Sequence, residues 1–137
     1  MAGTPEDGAP DDLGLQELTR WAEGQARHIA AKFRLGPAAD GDSAFFTLAQ
    51  AVKLGEEVGE LHAEVLGALR YQRADKSSEY STDTLGGELA DVMVCLAILA
   101  HTLNVDLATA VRQKIEDLDR RRAADELATL TQDLGLY

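Results

Sequence analysis

From Leu15 onward, apolar residues recur at intervals of three and four, the spacing of one helix face. Leu15, Leu18, Ala22, Ile29 and Phe33, with Trp21 beside them, predict a first helix over 15–33, stopped by Gly36-Pro37. A loop rich in Gly, Ala and Asp is expected over 36–43, with Ser43 as N-cap of a second helix. That helix should run from Ala44 to the neighbourhood of Arg70–Arg73, with Leu54, Val58, Leu61, Val65 and Leu69 as its apolar stripe. Residues 74–83 are polar and predict a loop. A third helix is expected from Thr82–Leu85, where Leu85, Leu89, Val92, Leu96, Leu99 and Leu103 repeat like a coiled-coil seam. Met93, Val94, Ala97 and Ile98 make its remaining faces apolar too. A helix apolar all round must be covered all round. In a chain this small that calls for a second subunit.

Asn104-Val105-Asp106 predicts a tight turn, with Asp106 capping a fourth helix. Its stripe is Leu107, Val111, Ile115 and Leu118. Arg120, Arg121 and Arg122 then suit a helix C-terminal end. Leu127, Leu130 and Leu134 give 125–134 a weaker pattern that either extends the fourth helix or packs on a partner. Strand-like alternation is absent, so the expected fold is all-α, with antiparallel helices. The domain is expected over 13–122. Residues 1–12, rich in Gly, Pro, Asp and Glu with little to bury, are expected to be a disordered tail, and 123–137 a C-terminal extension.

Composition narrows the functions. The 137 residues suit one domain, and 45% are hydrophobic, enough for a core. The net charge of −11 argues against polymeric nucleic acid and anionic membranes, which want a basic face. A polyanionic substrate needs a metal to offset that charge. Cys95 is the only cysteine, so no internal disulfide forms. The N-terminus is acidic and lacks an apolar run, so no signal peptide is expected. The apolar stretch 89–100 contains Asp91 and falls short of the roughly 20 residues a membrane span needs. A soluble, cytoplasmic protein is the expectation.

The candidate chemistry lies in two acidic pairs. Glu57 and Glu60 sit one turn apart on the second helix, beside Lys53 and Glu64. Glu88 and Asp91 sit one turn apart at the start of the most apolar segment. Antiparallel neighbours can bring all four together if the connecting loop folds back or the second helix ends early. Four convergent carboxylates repel unless a hard cation joins them, and oxygen ligands suit Mg²⁺ or Mn²⁺. Gly55, Gly59, Gly86 and Gly87 flank the pairs and are candidates for close backbone approach.

Glu57-x-x-Glu60, a spacer of 27 residues and Glu88-x-x-Asp91 together resemble the signature of the MazG-like nucleoside triphosphate pyrophosphohydrolases. This all-α superfamily includes dCTP pyrophosphatases, dimeric dUTPases and phosphoribosyl-ATP pyrophosphatases. The resemblance covers residues 15–122 and is strongest in Lys-Leu-Gly-Glu-Glu-Val-Gly-Glu-Leu, in Gly-Glu-Leu-Ala-Asp-Val, and in Asn-Val-Asp-Leu with Lys114. It implies a four-helix bundle completed by oligomerisation, as a homodimer or homotetramer. It implies hydrolysis of a (deoxy)nucleoside triphosphate to the monophosphate and pyrophosphate, in nucleotide-pool housecleaning. By carry-over, Glu57, Glu60, Glu88 and Asp91 bind Mg²⁺, one of them, such as Glu57, doubling as general base. Lys114 and Arg121 match phosphate contacts, and Lys53 is a further one. The Asn often found between Lys and Arg is missing, with Leu118 and Asp119 in its place. Trp21, the only tryptophan, is the candidate for stacking on the base.

Plainer roles stand beside these. Acidic pairs also make solvated helix faces or complement a helix dipole. Cys95 fits a core position. His28, His62 and His101 lack metal-ligand spacing, and Glu56 and Glu64 fit the surface. The alternative function is a non-catalytic helical dimerisation or regulatory module. A di-iron carboxylate bundle wants Glu-x-x-His pairs, and none occurs.

Overall fold

The computed structural model describes residues 13–33, 40–69 and 82–136. Those residues form four helices: α1 (Leu15–Lys32), α2 (Asp40–Ala68), α3 (Thr82–Thr102) and α4 (Leu107–Asp133). Among them the chain is all-α. The expected tail over 1–12, the Gly36-Pro37 stop and most of the 74–83 loop lie outside the described residues. By its contacts the chain divides at Val105–Asp106 into two units.

In the first unit α3 is the central element, packed against both α2 and α1. The buried apolar side chains there are mostly small: Ala22 and Ala26 on α1, and Cys95, Ala97 and Ala100 on α3, with Leu18 and Ile98 the larger ones. No large side chain is fully buried among the described residues. The seam leucines are not the core of α3. Leu89 and Leu96 are exposed together with Met93, and the helix buries the side that holds Cys95 and Ile98 instead. Phe33, expected in the α1 core, is 65% exposed, because the helix ends at Lys32 and Phe33 serves as its C-cap. Trp21 is half exposed.

α2 starts at Asp40, ahead of the expected Ser43–Ala44, so Ser43 lies within the helix rather than at its cap. It also ends earlier than expected, at Ala68, with Leu69 in a turn. The early end matters for the acids. Glu60 lies ~12 Å along the axis before Ala68, and Glu88 ~9 Å after Thr82. The two acidic pairs are thus level to within ~3 Å, and no long fold-back is required.

α3 is 21 residues long, not the twelve of the apolar stretch. By length and composition alone it is long and apolar enough to cross a membrane. It packs against α1 and α2 and carries Glu88 and Asp91, with 22% of its apolar window buried.

The 103–106 turn forms as the sequence predicts. Asn104 takes a left-handed backbone conformation (φ 56°), which Asn tolerates better than most residues. Asp106 caps α4, accepting from Thr109 N at 3.0 Å and Thr109 Oγ1 at 2.9 Å. These hydrogen bonds hold the Asp106 carboxyl below its ordinary pKa. α4 does not stop at the three arginines. They lie in mid-helix, where Arg120 pairs with Asp117, and Arg122 with Asp119 (3.0 Å) and Glu126 (3.9 Å). The helix continues through 123–133. Ile115 and Leu118, expected as core, are about half exposed.

Candidate metal centre

α2 and α3 run antiparallel, in a register that side chains report directly. Thr84 Oγ1 on α3 donates to Glu64 Oε2 on α2 at 3.1 Å. Further along α3 and further back along α2, one carboxylate oxygen each from Glu57, Glu88 and Asp91 lie within 4.8 Å of one another. The order 64, 57 against 84, 91 follows from antiparallel packing.

The three acids differ in setting. Glu57 is buried, Glu88 half-buried and Asp91 exposed. Glu57 Oε1 accepts from the Lys53 ammonium at 2.6 Å, and Lys53 also reaches Glu56 Oε2 at 3.3 Å. These bonds hold the Lys53 ammonium above its usual pKa, with Glu57 the larger cause. Glu88 has no such neighbour: its Oε2 is buried without a hydrogen-bond partner. Burial, then the charges of Glu60, Asp91, Glu64 and Glu57, push the Glu88 pKa up.

Glu60 is not in the triad. It is exposed, yet its charge is the largest electrostatic influence on Glu88. Three of the four sequence candidates therefore converge, with the fourth alongside. Lys53 is at the cluster, tied to Glu57. Trp21 stands on α1. Lys114 and Arg121 are exposed on α4, in the second unit, and Arg121 alone of the three arginines lacks an ion pair among the described residues. Gly55, Gly59, Gly86 and Gly87 do not mark close approach, since a Cβ at each would meet nothing within 4 Å.

The Lys53–Glu57 ion pair is the salt-bridge alternative that the i,i+4 spacing offers for Lys53. Two features have no signal in the sequence pattern: the Thr84–Glu64 link, and the burial of Gln50 on the Glu57 face of α2, two turns earlier. Cys95 is buried one turn beyond Asp91, and burial, then the Glu57 charge, raise its thiol pKa. This makes it an inert core residue rather than a nucleophile.

The donor set is three carboxylates, and one oxygen of Glu88, Oε2, is buried without a hydrogen-bond partner. Such a set fits a hard divalent cation, which would offset the mutual repulsion. No family model, no curated protein and no solved structure matches the chain.

Proposed function

We propose that this chain is a Mg²⁺-dependent nucleoside triphosphate pyrophosphohydrolase of the MazG-like type, acting in the cytoplasm as a homodimer or homotetramer. The convergence of Glu57, Glu88 and Asp91 from two antiparallel helices, with Glu88 Oε2 buried and unpartnered, carries the reading. These three residues would hold Mg²⁺ or Mn²⁺. When bound, the ion would neutralise charge on the phosphate chain and make an attacking water more acidic. Glu60, exposed beside the triad, has room to accept a proton from that water, whereas Glu57 is engaged by Lys53. Lys53, at the cluster, is the basic group assigned to the phosphates, and Trp21, half exposed, is assigned to the base.

A second reading keeps the helices and drops the turnover. Apolar side chains are exposed on α1 (Trp21), α2 (Phe45, Leu48, Val52), α3 (Leu89, Met93) and α4 (Leu127, Leu130), which suits a dimerisation or regulatory module. Leu118-Asp119 in place of the usual Asn also favours it.

Calorimetric titration with Mg²⁺ and Mn²⁺, followed by pyrophosphate release from a nucleotide panel, separates the two. The expected result is divalent binding and turnover in the wild type. Both should be lost in Glu88→Gln and Asp91→Asn, with helical circular dichroism unchanged. Glu60→Gln should lose turnover. Metal binding with no pyrophosphate from any nucleotide supports the module instead.

A further inference from the structure

The acid cluster already has one resident cation. Lys53 Nζ stands 2.6 Å from Glu57 Oε1 and 3.3 Å from Glu56 Oε2. On a helix, an acid placed four residues before a base makes the better pair, and here the base comes first. An exposed pair in that order is worth little. This one is different because the Glu57 side chain is only 9% exposed, whereas Lys53 keeps 46%. The long lysine stem lets the ammonium lean in from the rim and cover a carboxylate that has lost most of its water. Glu88 and Asp91 approach the same carboxylate from α3, so the local excess of negative charge holds the ammonium in place.

We infer that Lys53 is a built-in placeholder cation, which a divalent ion must displace from Glu57 before the acid cluster can bind it. The inference rests on the metal reading proposed above and adds to it a competition between lysine and metal. An ion held by Glu57, Glu88 and Asp91 would stand within a few ångströms of the ammonium, where like charges repel. The lysine thus lowers divalent affinity in the free chain and keeps the cluster partly neutral while no metal is bound. It also makes metal entry and release of Lys53 a single event.

The test is equilibrium titration with Mn²⁺ and with Mg²⁺, in the full chain, at fixed ionic strength and without nucleotide. Lys53→Met removes the charge and keeps the apolar stem; Lys53→Arg keeps the charge. The expected result is divalent binding on the order of tenfold tighter in Lys53→Met, near the wild-type value in Lys53→Arg. Should Lys53→Met unfold, Lys53→Gln gives the same comparison, with circular dichroism reporting the fold. Unchanged affinity in the uncharged variant leaves Lys53 with no role beyond a phosphate contact or a surface pair and overturns the inference. Weaker affinity makes it an organiser of Glu57 and also overturns it. Absence of divalent binding in the wild type and in every Lys53 variant removes the metal reading itself.

Discussion

Glu57 and Glu60 are three residues apart, and three helical residues leave two side chains about 60° apart around the axis. Helix rotation of that size decides which of them enters the groove against α3. Glu57 does, at 7% exposure, and Glu60 stays in water. Periodicity locates the acidic face but does not resolve 60°, so the sequence marked four acids and the packing selected three. Glu88 carries the cost of that selection. Burial and neighbouring acids raise its pKa above the ordinary 4.5 in the folded chain, so the folded state favours its protonated form. That contribution to stability is full below pH 4.5 and is lost as pH rises through the folded value. In EDTA, the thermal midpoint of the wild type should therefore fall as pH is raised from 4.5 toward neutral. Glu88→Gln should flatten that part of the profile and melt a few degrees higher at neutral pH. Added Mn²⁺ should stabilise the wild type and leave Glu88→Gln unmoved. Parallel pH profiles for the two proteins, followed by scanning fluorimetry, would contradict this account.

At the scale of elements, the ends of helices separate what the sequence states from what it leaves open. Asp106 was legible because an N-cap is a local device: one carboxylate, two donors from Thr109, three residues. The end of α2 was not, because Leu69 continues the apolar stripe and nothing local marks Ala68 as the last residue. The arginines misled for a related reason. Arg120 and Arg122 are satisfied by Asp117, Asp119 and Glu126 on their own helix, so they have no need of a helix end. The glycines of α2 are a further case. Gly59 is in mid-helix with open space where a Cβ would go. Gly59→Ala should then raise stability by up to ~1 kcal/mol in urea unfolding, through helix propensity. A loss of stability would mean that another surface packs at that position.

At the largest scale, the interior formed by the described residues is thin. Leu89, Met93 and Leu96 form an exposed apolar band on α3, on a helix whose other sides meet α1 and α2. Such a band in water favours association. Leu89→Lys combined with Met93→Lys should move the protein toward monomer in sedimentation velocity, whereas the wild type is expected as a dimer or larger. An unchanged distribution would place the self-association surface elsewhere. The all-α class was readable from periodicity alone. The coverage of α3 was not, because the periodicity that marks a helix as apolar says nothing of how many neighbours the chain itself supplies.

α3 has one more consequence, for the surroundings this helix tolerates. Its 21 residues are long and apolar enough for a bilayer span by length and composition alone. Asp91 falls near the middle of the helix, where a carboxylate makes insertion unfavourable by about 3 kcal/mol, and Glu88 adds to that one turn away. The carboxylates that repel one another in the folded protein therefore also set how unfavourable lipid is for this helix.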